Sequence, residues 1–407
     1  MTRDFSPGTR IELDSVGRYY TLVSSPENPG TFGATAHLRE TVDPAVLQSA
    51  VNGIMLRLPF LNVRIRRGFI WYYHEVMAEP PRILPATDYP LPCSYFEKDK
   101  GHVLRILYGE KHFTMEVLHS ICDGRSLMKI IAAVVIRYFE LLGVEFDKTG
   151  IIDSGEEVRA EEAEDAYARF ADYKKTVSLM EKTGYALDYS RPATARTLCH
   201  KFDAGKIRTA AKTYGLTISE YILSHIFMAV DKERTERKGN KPISIMLPID
   251  CRGFYHSESL RNFVTFTTIT ISKTGDMAET ARQIREQFAA INADSVMGTI
   301  NSQQKLIKLG RFIPCGLKTF GLRIADKLGF GGNGLSTTFS NIGLVKLPKE
   351  IEERVDMMEF TLCPEPRTPY AFGCVTVGNA LALTATVTVE GEEFFRDLVE
   401  EIEVDFE

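Results

Sequence analysis

The stretch from His112 to Leu142 constrains the fold more than any other. Phe113, Met115, Val117 and His119 alternate onto one face of a strand, Gly124 interrupts it, and Arg125 to Leu142 then runs apolar on nearly every side. A helix with no polar face must be packed all round, and only the interior of a large domain does that. The chain is long enough: its 407 residues correspond to two or three domains, or to one large pseudo-repeated fold, at roughly 150 residues per domain. With 44% hydrophobic and 25% charged residues it can bury a sizeable core.

Strand and helix signals alternate through both halves. Tyr19 to Val23 and Phe32 to Leu38 read as strands. Asp43 is an N-cap with Pro44 at the first helical position, and Val46, Leu47, Ala50, Val51, Ile54 and Met55 follow at spacings of three and four until Pro59. Phe60 to Ile65 and Phe69 to Val76 read as strands, the second holding Trp71, the single tryptophan. The charged stretch 153–183 predicts a solvated helix and Tyr185 to Thr197 a crossover linker, so the expected division is 1–190 and 191–407. Beyond it come a strand at Thr197 to Phe202, a helix from Ala204, and a second helix opened by the capping box of Thr217 and Glu220. Further strands are expected at Ile243–Ile249, Phe263–Ile271, Ser336–Asn341, Val355–Thr361, Ala371–Val377 and Ala380–Val389, with helices between and a closing acidic helix from Glu392. The fold class is α/β with mixed sheets, because the strands outnumber the crossovers a parallel sheet would require.

Several functions are excluded. Forty-nine basic against 54 acidic residues leave a net charge of −5 with no dense basic run, so nucleic acid is not an expected partner. The longest apolar run, Ile130 to Ile136, falls far short of the roughly 20 residues that span a bilayer. No transmembrane segment or signal peptide is read, and the expected location is the cytoplasm. Seven scattered cysteines without C-x-x-C predict reduced thiols, and no histidine spacing implies a metal. Gly329 to Gly334 satisfies G-x-G-x-x-G, but a helical segment precedes it and a β-like one follows, the reverse of what pyrophosphate binding needs; it reads as a loop.

His119-Ser120-Ile121-Cys122-Asp123-Gly124 sets an imidazole and a carboxylate four residues apart at a strand end. By residue type two readings stand: a general base offering one ring nitrogen to a cleft, or a core histidine held by local hydrogen bonds with Asp123 capping the next helix. Cys122 reads as a small packing residue rather than a nucleophile, which would need a base in contact.

This segment resembles the H-x-x-x-D-G signature of the acyltransferase superfamily that contains chloramphenicol acetyltransferase, peptide-synthetase condensation domains and alcohol acetyltransferases. Leu56 to Leu61, Pro248 to Arg252 with Leu260 to Val264, and Thr338 to Gly343 resemble further blocks in the family's order. Leu118 stands where condensation domains usually carry a second histidine, and no D-F-G-W-G block of the plant branch occurs; the nearest pattern is that of alcohol acetyltransferase-like members. The resemblance implies two similar chloramphenicol-acetyltransferase-like subdomains forming a V, with the active site in the tunnel between them. It implies an acyltransferase in which His119 takes a proton from an alcohol or amine that attacks a thioester, without an acyl-enzyme. Ser340 and Asn341 are the expected oxyanion donors, their alternative being a Ser-Asn pair bonding its own backbone at a strand end. Asp123 and Gly124 support the histidine loop, Asp123 needing an arginine partner: Arg252 first, Arg57 second. The expected co-substrate is acyl-CoA, foremost acetyl-CoA, with no tightly bound cofactor. Two alternatives remain, a free-standing condensation-type enzyme fed by an acyl carrier protein and a non-catalytic binding scaffold.

Overall fold

The computed structural model describes residues 4–87, 95–177, 184–187, 192–327, 335–363 and 368–406. Among them fourteen strands form three sheets. In chain order the strands are β1 (Arg10–Glu12), β2 (Thr31–Leu38), β3 (Val63–Arg67), β4 (Tyr72–Val76), β5 (Ile83–Pro85), β6 (Leu104–Tyr108) and β7 (His112–Leu118). The second half adds β8 (Pro192–Asp203), β9 (Ile243–Asp250), β10 (Val264–Ile271), β11 (Thr337–Val345), β12 (Val355–Leu362), β13 (Tyr370–Val377) and β14 (Ala380–Val389). One sheet has the order β10-β9-β11-β13-β14-β8, the second β12-β2-β7-β6-β5, and a small one β1-β4-β3. Pairing is mostly antiparallel; β11 runs parallel to both β9 and β13, so the sheets are mixed as expected.

Every strand of the six-stranded sheet follows residue 190, whereas the five-stranded sheet takes β12 from the second half and pairs it antiparallel along β2, from Val355–Leu38 to Leu362–Phe32. The larger hydrophobic core is built mainly from the first half but takes in Val345, Val355, Met358, Phe360, Val375 and Val377 from the second, and another core runs from Tyr185 onward through the second half. A third, small cluster joins Val16, Ala166 and Tyr167 to Cys251, Phe263, Val264, Val296 and Ile300, and so takes residues from both halves.

Local chemistry explains the helix boundaries. The Asp43 carboxylate accepts from the N–H groups of Ala45 and Val46 and opens Pro44–Arg57, and Asp123 accepts from Ser126 N–H and opens Gly124–Leu141. Thr217 and Glu220 make the reciprocal capping box at the start of Ile218–Glu236.

Several segments differ from expectation: Phe60 and Leu61 form a 3-10 turn ahead of β3, and the expected linker at Tyr185 to Thr197 is already strand β8 from Pro192. Tyr19 to Val23 is the end of a helix, Ser15–Val23, capped by the Asp14 side chain; the aromatic, β-branched composition suggested a strand, but the cap and the tertiary packing of Val16 and Leu22 override it. The charged stretch 153–183 is not a solvated helix: only Ala166–Phe170 is α-helical among its described residues, and Glu162, Ala166 and Tyr167 are buried. This stretch bridges the halves instead, since Glu162 C=O accepts from Leu260 N–H, and the Tyr167 hydroxyl donates to Val264 C=O and accepts from Val264 N–H. Gly329 to Gly334 lies outside the described residues. No helix of the described residues is long and apolar enough to cross a membrane.

Candidate active site

Strand β7 ends at Leu118, and His119 follows with its N–H bonded to Gly30 C=O beside β2. The imidazole stacks on Tyr20 (ring centroids 4.4 Å apart, planes within 8°) and touches Phe32 at 4.7 Å. Its Nδ1 lies 3.0 Å from Asn262 Oδ1. The Asn262 amide nitrogen donates to the Asp14 carboxylate at 3.1 and 3.3 Å and to His119 C=O at 3.1 Å. A carboxylate only accepts, so the amide must turn its nitrogen toward Asp14 and its oxygen toward the imidazole. The proton of neutral His119 therefore sits on Nδ1 and the lone pair on Nε2, the tautomer a general base requires.

Electrostatics favour that form. Burial pushes the His119 pKa below the ordinary 6.5, outweighing the charge of Asp123 and the Asn262 bond, which raise it. Behind it, burial pushes the Asp14 carboxyl up to about 6, against the pull of Arg261 at 3.5 Å and the Gly17 N–H. Gly17 keeps this packing close, because a Cβ there would come within 2.8 Å of Ser120 C=O.

Asp123 is consumed structurally. Besides capping its helix, its carboxylate accepts from Arg252 Nη1 at 2.8 Å and from Phe263 N–H at 2.9 Å, and its pKa is lowered: burial raises it, but Arg252 and the two backbone donors together prevail. Arg252 is held in turn by Asp250 Oδ1, Ser126 Oγ and the carbonyls of Ser259 and Arg261. Of the two arginines expected to pair with Asp123, the structure selects Arg252. Arg57 is a correction: it forms a buried two-bond pair with Glu162, at 2.7 and 2.8 Å, away from the histidine loop. The preference follows from position, since Arg252 follows β9 directly and reaches the start of Gly124–Leu141, whereas Arg57 ends a helix that faces the 153–183 stretch. Gly124 has no room for a side chain, because a Cβ would lie 2.5 Å from the ring of Phe360 on the inserted strand β12.

The second half supplies the opposite wall. Strand β11 pairs with β9 only at Thr337–Ile245 and Thr338–Met246, and beyond that β11 continues along β13 while β9 continues along β10. The two strands splay, and a cavity of about 260 Å³ opens there. Alternation aims Met246, Pro248 and Asp250 of β9 and Thr338 and Ser340 of β11 into it, opposite His119. Ser340 is nearly buried, with no hydrogen-bond partner for its hydroxyl among the described residues. Asn341 also lines the cavity, but its amide nitrogen donates to Ser219 Oγ at 2.9 Å and its oxygen accepts from Gly343 N–H at 2.8 Å. His119, Asp123, Gly124, Arg252, Ser340 and Asn341 thus share one cavity, and Arg57 does not.

Asp14, Tyr20 and Asn262 escaped the sequence reading as site residues. Asp14-Ser15 before Val16, Tyr20 and Val23 carried an N-cap and helical spacing that would have placed Tyr20, and Asn262 lies inside one of the resembling blocks. Trp71 does not line the cavity; it packs under Lys318, whose ammonium sits 3.1 Å from the indole. Cys122 is fully buried, and burial pushes its thiol well above the ordinary range, so it packs as a protonated thiol. Cys363, at the cavity edge, is disulfide-bonded, a correction to the expectation of reduced thiols.

No family model matches the sequence, and no curated protein matches it. Solved structures do match. Polyketide synthase associated protein 5 from Mycobacterium tuberculosis is 13% identical with a TM-score of 0.67, each chain covered at 100%. The first condensation domain of the CDA synthetase is 15% identical (TM-score 0.60), over 98% of this chain and 95% of that one. The epimerization domain from the third module of tyrocidine synthetase B is 11% identical (TM-score 0.62), over 100% and 97%. At such identities the likeness is one of fold, and it extends over the whole chain.

Proposed function

We propose that this chain, which has the condensation-domain fold of the chloramphenicol acetyltransferase-like superfamily, transfers an acyl group from a phosphopantetheine thioester to an alcohol or amine. The observation that carries the reading is His119: a neutral imidazole, its proton fixed on Nδ1 by Asn262, facing a cavity whose far wall presents the Ser340 hydroxyl. His119 Nε2 takes the acceptor's proton as its oxygen or nitrogen bonds to the thioester carbon. The carbonyl electrons move onto oxygen, and the Ser340 hydroxyl donates to the oxyanion. When the C–S bond breaks, the thiolate takes the proton back from the imidazolium, leaving an ester or amide and a free thiol. We assign the oxyanion donor to Ser340 rather than Asn341, whose amide already has partners on both sides.

The cavity, at about 260 Å³, is small beside the roughly 300–1,000 Å³ of pockets that hold whole small ligands, a size suited to the reacting ends of donor and acceptor. Acyl-CoA and an acyl carrier protein present the same thioester to such a chamber. Similarity to a polyketide synthase associated protein and to a synthetase condensation domain supports the carrier-bound donor beside acetyl-CoA. The test is thiol release from acetyl-CoA, longer acyl-CoAs and acyl-loaded carrier proteins against panels of alcohols and amines. His119→Ala should lower turnover by about 10²–10⁴; unchanged turnover would leave a binding scaffold as the better description.

A further inference from the structure

Away from the cavity the described residues include a set of large apolar side chains left exposed to solvent. The helices Ala293–Gly310 and Cys315–Lys327 follow one another and both pack on the helix Ser15–Val23, and the first has buried residues up to Gln304. From there outward Leu306, Leu309, Phe312, Leu317 and Phe320 stand in solvent with Phe69 of the β3–β4 turn, each between 59% and 80% exposed. Single exposed apolar residues are ordinary; six large ones on two successive helices and the adjoining turn mark an interaction surface.

Charge identifies what would cover it. In a chain with 54 acidic residues, no Asp or Glu occurs between Asp294 and Asp326, whereas Lys305, Lys308, Arg311, Lys318 and Arg323 do. Lys305, Lys308 and Arg311 are exposed. The Arg311 guanidinium lies over Phe312 of the patch at 4.7 Å, and Lys308, next to Leu309 in the chain, lies over the Tyr173 ring at 3.4 Å. Apolar side chains that can insert, flanked by cations, are what an anionic headgroup layer rewards.

We infer that this pair of helices docks the protein on an anionic lipid surface, Leu309, Phe312 and Phe320 entering the headgroup layer and Lys305, Lys308 and Arg311 meeting phosphates. These helices are bonded to elements that line the site. Gln304 donates to Ser15 Oγ at 2.7 Å, and Cys315 N–H donates to Phe69 C=O at 2.8 Å. Lys318 and Arg18 both lie over the Trp71 ring. Ser15 and Arg18 belong to the helix that carries Tyr19 and Tyr20 to the cavity. A docked protein would hold the Tyr19 side of the cavity toward the membrane, where apolar acyl chains or acceptors reside.

The test is flotation of the full chain with phosphatidylcholine vesicles prepared with and without phosphatidylglycerol. Binding should appear on the anionic vesicles and weaken with added salt. The triple variant Leu309→Ser, Phe312→Ser, Phe320→Ser should lose it by about tenfold or more, and Lys305→Glu with Lys308→Glu by roughly fivefold per lysine. Circular dichroism and thiol release from soluble substrates should stay at wild-type values in both, since none of these residues lines the cavity. Absence of wild-type binding to anionic vesicles overturns the proposal, as does equal binding by the triple variant. A wild-type dimer that the triple variant converts to monomer, without vesicle binding, would assign the face to self-association. Thiol release is read separately, so failure here leaves the acyl-transfer reading standing or falling by itself.

Discussion

On the His119 wall of the cavity almost every polar atom is committed: Asn262 bridges the imidazole to Asp14, and Arg252 clamps Asp123 with help from four further acceptors. On the β11 wall, the Ser340 hydroxyl faces the cavity unbonded among the described residues, and only its neighbour Asn341 is tied down. A base must present one lone pair in one tautomer before substrate arrives, so fixing it early is useful. An oxyanion donor is needed only when charge develops, and a hydroxyl rotor can turn to meet it.

The comparison breaks most visibly at Arg252. Removing it strands the buried Asp123 carboxylate without a counter-charge, and loss of one partner of a buried ion pair costs about 3–5 kcal/mol. Arg252→Ala should therefore lower the unfolding free energy measured in urea by that much, and Arg252→Lys should recover only part, because one ammonium cannot replace bonds to Asp123, Ser126, Ser259 and Arg261 together. A loss below about 1 kcal/mol would mean that the clamp does not hold the histidine loop.

Ser340→Ala probes the opposite wall. It should lower kcat by about 10²–10³, as removal of a single oxyanion donor does, with stability within about 0.5 kcal/mol of wild type. Urea melts and single-turnover rates measured on the same preparation separate the two walls. A variant that melts early but reacts normally would place Ser340 among the structural residues.

Asn262→Ala should act more mildly, by about 1–3 kcal/mol in kcat/KM, since it leaves Asp14 and the His119 Nδ1–H without their shared partner. Its pH profile is the sharper readout. Neutral His119 is the active form and burial holds its pKa below 6.5, so the acid limb of wild-type kcat/KM should have its midpoint below pH 6.5. The Asn262 bond favours the protonated ring, so its loss should move the acid limb to still lower pH while the plateau drops. A lowered plateau with an unmoved limb would indicate general loosening of the loop.

What could be read from the sequence follows the same division between local and distant. The strand ending on His119, the apolar helix after Gly124 and the caps at Asp43 and Thr217 are encoded within a few residues of where they act, and all appear as expected. The partners of His119 are not local: Asn262 lies 143 residues away, and Asp14 a further 248 from Asn262 in the opposite direction along the chain. Arg57 could be mistaken for a partner of Asp123 because an arginine's carboxylate is set by packing, and Glu162 sat in a stretch whose charges looked solvated. Likewise no periodicity announces that β12 leaves its own half to pair with β2, yet that insertion brings Phe360 against Gly124 and leaves glycine the one residue that fits there.

The smallest effect is expected at Asn341, and it separates two neighbours that the sequence could not. Asn341 sits where β11 loses register, just before Gly343, whose φ of +82° needs glycine; its oxygen fixes Gly343 N–H and its nitrogen reaches Ser219 Oγ. These are neutral hydrogen bonds at a half-buried strand end, so Asn341→Ala should lower stability by about 1 kcal/mol. Turnover should fall less than about tenfold, because the β11 end can relax slightly while Ser340, paired with Gly373 one position earlier, stays in register. If instead Asn341→Ala loses about 10²–10³ in kcat while Ser340→Ala loses little, the amide must leave Ser219 to meet the oxyanion, and the β11 wall would prove to be the mobile side of the site.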